Sequence, residues 1–215
     1  AAVPEFNRTI HVVEPCEIPR NWTTFRCSDY GDGSYSALLL CALAANEQLI
    51  VYREMYVSKV LAEDLADMIL EAEQGDGPMQ YGVLDSSCWH KRGDTGPSIA
   101  ERMVVKGCRW RPSDRSKGTR VSGKNEMHRR LQVDEFTGEP RMIIFNTCNH
   151  LISQLPTIPL DKKNAEDIDT NYAHDHLYDA LRYGIMSRPR FGVFDYDPAT
   201  ARPNSQYLAD PVMGY

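Results

Sequence analysis

The hydrophobic positions first gather in three short runs, Trp22–Asp29, Tyr35–Ala45 and Leu49–Val57, separated by Gly31-Asp32-Gly33 and Asn46-Glu47. Runs rich in aromatic and branched residues, punctuated by turn formers, predict a three-stranded antiparallel meander. The spacing then changes. After Ser58, an N-cap residue by type, Val60, Leu61, Leu65, Met68 and Ile69 recur at helical intervals until Gly75-Asp76-Gly77-Pro78, with Asp64 as a polar intrusion. Met79–Asp85 is a short apolar run ending in an acid and predicts a buried strand. Pro97–Lys106, with Gly107 after it, predicts a second helix. Cys108–Arg111 reads as a short strand, 112–122 as a polar loop and 123–132 as a helix. Arg141–Asn146 reads as a late strand, His150–Leu155 as a short apolar stretch, Asp161–Thr170 as an acidic loop and Ala173–Ser187 as the last helix. Residues 1–21, with three prolines, form an extended lead-in; 22–187 form one domain; 188–215, with four prolines, form a tail. The main order, β-β-β-α-β-α-β-α, predicts an α/β fold. Its sheet is mixed, a meander plus parallel strands, with helices on both faces.

Composition is that of a globular chain: 215 residues, 42% hydrophobic and 25% charged. The net charge of −6 speaks at first against a nucleic-acid partner, but it is unevenly spread. Residues 106–130 carry nine basic side chains against Asp114 and Glu126, a local charge of +7, which leaves −13 on the rest. A basic segment in an acidic domain is a candidate phosphate contact through Lys117, Arg120, Lys124, Arg129 and Arg130. A solvated basic loop is the plainer alternative. The six cysteines fall at 16, 27, 41, 88, 108 and 148, with no zinc-finger spacing, and read as reduced thiols of a cytosolic protein. No run is long enough to span a membrane, and the start, AAVPEF, has no signal-peptide pattern and reads as a cut from a longer chain.

Three acids stand out by position. Asp29 ends the first strand at a glycine turn, Asp85 ends the YGVLD strand, and Asp179 lies on the last helix. An Asp after a strand commonly only caps a turn. Three carboxylates converging on one sheet edge repel one another and call for cations, and hard oxygen donors favour Mg²⁺ or Mn²⁺. Two such ions can serve the attacking and leaving oxygens of a phosphodiester. On the last helix Ala180 and Gly184 form a small stripe flanked by Leu177 and Leu181 on one side and by His176, Asp179 and Tyr183 on the other. That arrangement allows a close approach to the sheet with Asp179 and His176 along its edge. Three decoys are set aside. GTRVSGKN at 118–125 fits GxxxxGK but has Asn where Ser or Thr must bind Mg²⁺ and no strand before it. His174 and His176 face apart on a helix, and DYGDGSYS lacks the acid pattern of an EF-hand.

These residues taken together resemble the nuclease domain of the large terminase subunit of tailed bacteriophages, from about His11 to Pro189. The resemblance is carried by Ile18-Pro19 with Trp22, SDYGDG, YREMY, YGVLD and, most specifically, DHLYDALRYG. It implies an RNase H-like fold and a two-metal endonuclease that cuts concatemeric double-stranded viral DNA during packaging. Asp29, Asp85 and Asp179 would be ligands of two Mg²⁺ or Mn²⁺ ions, and His176 a further ligand or a proton-transfer group. Asp32 and Asp175 would be reserve acids, with Glu54 a weaker candidate. The segment 107–147 would correspond to a hairpin-and-loop region near DNA. An upstream ATPase domain, joined through 1–21, is expected on the same polypeptide; the small subunit and the portal protein are expected partners. Portal contact is expected of the 188–215 tail, and the host bacterial cytoplasm is the expected location. Two alternatives remain: a non-catalytic DNA- or portal-binding module on the same fold, and another RNase H-like nuclease such as a resolvase or transposase.

Overall fold

A computed structural model of the chain describes residues 1–91, 96–162, 164, 166–169, 172 and 174–188. All of the tail beyond Arg188 lies outside the described residues. Six helices, α1 (Arg8–His11), α2 (Ala62–Ala72), α3 (Ile99–Val105), α4 (Thr119–Leu131), α5 (Asn149–Gln154) and α6 (His176–Met186), are described. They surround strands β1 (Val12–Val13), β2 (Thr23–Asp29), β3 (Tyr35–Leu43), β4 (Leu49–Ser58), β5 (Tyr81–Leu84), β6 (Arg111–Pro112) and β7 (Met142–Phe145). The strands form one sheet in the order β1-β7-β4-β3-β2-β5-β6.

The meander is present as the sequence predicts: β2 pairs antiparallel with β3, and β3 with β4. Parallel pairing continues outward on both sides, through β5 and β6 beyond β2 and through β7 and β1 beyond β4. The alternation of side chains along each strand divides the core in two. On β3, Ala37, Leu39, Cys41 and Leu43 face one layer, while Leu38, Leu40 and Ala42 face the other. The first layer is closed by α4, α5 and α6, with Met127, Leu131, Leu151, Leu177 and Leu181 buried. The second is closed by α2 and α3 through Leu65, Ile69, Ala100 and Met103. Both faces of β3 are therefore dry, which explains its unbroken apolar run. Of the six cysteines, five are buried, Cys16 is exposed, and none is paired.

Several boundaries differ from the sequence reading, each for a packing reason. The lead-in is not a mere extension: Ala2 and Val3 are buried in the first layer, and Val12–Val13 adds an edge strand to β7. The Ser58 cap yields to β4, which continues to Ser58 opposite Tyr35; α2 then begins at Ala62 without a side-chain cap. The polar loop before α4 is shorter than expected, because the helix starts at Thr119 after Gly118 in the left-handed region (φ 89°). The strand sought at 108–111 lies at Arg111–Pro112, since Cys108 and Trp110 turn into the core. The GxxxxGK decoy sits on α4, so no phosphate loop is built there.

Gly184 sets the closeness of α6 to the sheet. A Cβ there would stand 2.7 Å from Cys27 Sγ and 3.2 Å from Phe25 Cε2. Gly184→Val is expected to cost about 2–3 kcal/mol through forced separation of α6 from β2, read as a lower urea midpoint. Its second effect would be displacement of Asp179, which rides on the same helix.

Candidate active site

The carboxylates are positioned by two strand ends and one helix. In the parallel pairing of β2 and β5, Ser28 lies opposite Leu84, and the Asp85 N–H donates to Ser28 O at 3.2 Å. Asp29 and Asp85 therefore leave adjacent strands at the same level. Beyond Asp29 the chain turns at Gly31, where a Cβ would lie 2.1 Å from Tyr35 O; no larger residue permits so tight a return into β3. The third acid, Asp179, stands in the first turn of α6, five residues before the glycine contact with Cys27.

His176, at the start of α6, joins the helix to the strand end through a 2.6 Å hydrogen bond between its Nδ1 and Asp29 Oδ2. Burial is the largest influence on Asp29 and pushes its carboxyl up to about 6; Asp179 and Asp85 push it the same way, and the His176 bond opposes them. The His176 imidazole is raised above its ordinary value, first by that hydrogen bond. The Tyr183 phenol is raised by burial and then by Asp179, Asp29 and Asp85. The Tyr183 hydroxyl and the Asp29 carboxyl thus both feel the charge of Asp85 and Asp179.

Each acid is also held by a different donor. Arg182 donates to Asp179 Oδ1 from Nε at 3.0 Å and lies 2.9 Å from it through Nη2. Ser87 donates to Asp85 Oδ2, and Arg115 Nη2 stands 3.7 Å from Asp85 Oδ1. Among the described residues no group of three or more His, Cys, Asp or Glu side chains is arranged to hold a metal ion. The donor type fits a hard divalent cation, since Asp29, Asp85 and Asp179 offer carboxylate oxygens and Asp29 is made costly to ionise by burial and by the charge of the other two. What the arrangement shows is those carboxylates engaged by protein cations and hydroxyls.

The remaining sequence candidates separate clearly. Asp175 is half-buried beside the site and raised by burial and by Asp179. Glu54 is turned to another task, accepting from the backbone N–H groups of His150 (2.7 Å) and Leu151 (2.9 Å) and thereby capping α5. In the basic segment, Lys117 and Arg129 are exposed, and Arg120 bonds Asp167 through Nε at 2.8 Å. Lys124 and Arg130 are buried, Arg130 3.5 Å from Glu126, so these two are corrected from surface contacts to interior side chains. One face of α4, with Lys124, Met127 and Leu131 on successive turns, is turned to the core, and a count of basic residues cannot tell which face that is. Sequence reasoning did not single out Arg115 and Arg182. Arg182 had a readable signal, its i, i+3 spacing from Asp179; Arg115 became visible only once β6 had been placed beside β5.

No family model and no curated protein sequence matches the chain. Solved structures do. It is similar to the nuclease domain of the P22 large terminase, with TM-score 0.68 and 17% identity, over 85% of this chain and 90% of that one. It is also similar to the large terminase of a thermophilic bacteriophage in complex with ADP (TM-score 0.70, 16% identity, 89% of this chain). The fold is that of a large-terminase nuclease domain. The chain spans 45% of the length of that ADP-bound terminase. A third terminase nuclease, from thermophilic phage G20c, was solved with bound cobalt and aligns at TM-score 0.57 and 10% identity over 86% of this chain; another of its structures holds zinc. The mixed seven-stranded sheet is accordingly RNase H-like.

Proposed function

We propose that this chain is a divalent-metal-dependent endonuclease, the nuclease part of a phage large terminase, that hydrolyses phosphodiester bonds of concatemeric double-stranded DNA during genome packaging. What supports this is the placement of Asp29 and Asp85 at neighbouring strand ends and the bond from His176, at the start of the helix that carries Asp179, to Asp29, on a fold shared with known terminase nucleases. Asp29, Asp85 and Asp179 would hold Mg²⁺ or Mn²⁺, two ions being the number the reaction class uses. When bound, such ions supply the positive charge that lowers the pKa of an attacking water and stabilises the leaving oxygen. His176 orients the Asp29 carboxylate through Nδ1 and is placed to take up or release a proton at the site. Lys117 offers exposed charge to the DNA backbone, and Arg120 and Arg129 join it once released from Asp167 and Glu126. The upstream ATPase domain, the small subunit and the portal protein complete this reading as partners in the host cytoplasm. No described helix is long and apolar enough to cross a membrane.

Plasmid cleavage with Mn²⁺ or Mg²⁺ tests the proposal. The wild type is expected to nick and linearise supercoiled DNA, and Asp85→Ala is expected to fall to background. Activity surviving in Asp85→Ala overturns the site assignment. Because the described side chains form no ready-made ion site, a wild type that binds DNA but never cuts would favour a binding module on the same fold.

A further inference from the structure

Arg115 is held beside Asp85 by construction rather than by chance. Its loop leaves β6, which lies parallel to β5 with Leu84 opposite Pro112. The Ser113 N–H donates to Leu84 O at 2.8 Å, and the Ser86 N–H donates to Ser113 Oγ at 3.0 Å, so residues 113 and 86 fasten this loop to the strand end that carries Asp85. Asp114 Oδ1 then accepts from the Ser116 N–H (2.8 Å) and hydroxyl (2.7 Å), closing a tight turn around residue 115. The backbone is thus fixed while the guanidinium remains free to move: its side chain is 55% exposed, against 17% for Asp85, and the 3.7 Å separation is at the outer limit of an ion pair. A pair so exposed and so long contributes little to stability. Its position has the better claim to explain the loop, because an exposed planar guanidinium beside the strand-end carboxylate of Asp85 matches an incoming phosphate.

We propose that Arg115 is the phosphate-binding residue of the cleavage site. On the nuclease reading, it leaves Asp85 when DNA arrives and donates to non-bridging oxygens of the backbone at or next to the scissile linkage. The phosphate gains a cation as Asp85 loses one, which would leave that carboxylate free for a divalent ion. Lys117, two residues on and exposed, extends the same contact along the strand.

The test compares wild type, Arg115→Ala and Arg115→Lys on a short DNA duplex. Binding is measured in EDTA across a salt series and cleavage in Mn²⁺. Arg115→Ala is expected to reduce the slope of log affinity against log salt by about 0.9, the loss of one phosphate contact. It is also expected to lower cleavage at saturating DNA about 10²-fold. Arg115→Lys is expected to keep the slope and recover cleavage only in part, because an ammonium is a point charge without the planar fork. An unchanged salt slope in Arg115→Ala, or faster cleavage than wild type, overturns the proposal and reduces Arg115 to a counter-ion of Asp85. The binding measurement needs no cleavage. If the wild type fails to cut, the nuclease reading falls while the salt slope still decides whether Arg115 grips phosphate.

Discussion

Asp29→Asn is expected to make the metal-free domain more stable at pH 8 and abolish its cleavage of DNA. Burial, then the neighbouring Asp179 and Asp85, push the Asp29 carboxyl from an ordinary 3.8 up to about 6. The folded state therefore holds a proton that the unfolded state releases at lower pH, and stability falls as pH rises from about 4 through about 6. His176 adds to the trend: its raised value gives stability that is fully present below about 6.5 and is lost as pH rises through its folded value. Two pH units of displacement bound the cost of ionised Asp29 at about 3 kcal/mol; the lost bond to His176 brings the expected gain in Asp29→Asn to about 1–3 kcal/mol. Urea midpoints in EDTA, taken from pH 4 to pH 8, are the measurement. The difference between Asp29→Asn and wild type should be near zero at pH 4, grow through pH 6 and level off above it. A constant difference across that range would show that Asp29 ionises in the folded state as it does in the unfolded chain. Added Mn²⁺ should stabilise the wild type and leave Asp29→Asn nearly unmoved, since ligand binding stabilises only a chain that can bind it.

The legibility of this site in the sequence has a physical basis. Asp29 and Asp85 stand out because strand ends are readable: an apolar run that stops at an acid and a turn states both where the strand lies and where it points. Asp179 is marked by the Ala180–Gly184 stripe, whose meaning the structure bears out in the contact between Gly184 and Cys27. What escapes the sequence is set by partners distant along the chain. Val12–Val13 has no periodicity of its own and becomes a strand only because β7 offers a free edge about 130 residues later. Lys124 and Arg130 look like a basic surface until α4 packs on α6 and turns them inward, Arg130 beside Glu126. Arg115 is one cation among nine in its segment, and only the β5–β6 pairing distinguishes it.

Arg182→Met is expected to destabilise the metal-free domain by about 3–5 kcal/mol, the usual cost of leaving one member of a buried ion pair without the other. Arg182 and Asp179 have side chains only 6% and 13% exposed, and they meet at 2.9 Å within one turn of α6. Removing the guanidinium leaves Asp179 near Asp29, the like charge that already helps to raise the Asp29 carboxyl. The aliphatic stem matters too, because the Arg182 Cγ would lie 2.5 Å from a Cβ built on Gly123 and so packs α6 tightly onto α4. Methionine retains most of that stem, which isolates the charge from the packing. The double variant Asp179→Asn/Arg182→Met should recover most of the loss, since neutral asparagine needs no counter-charge. Thermal melts of the four proteins in EDTA form the double-mutant cycle, and a coupling energy below about 0.5 kcal/mol would show the pair to be independent. Manganese supplies a second, independent reading: where Arg182 is gone, the ion is the remaining source of positive charge for Asp179, so Arg182→Met should gain more stability from Mn²⁺ than the wild type does. On this reading Arg182 supplies the counter-charge of Asp179 whenever no metal ion is present to do so.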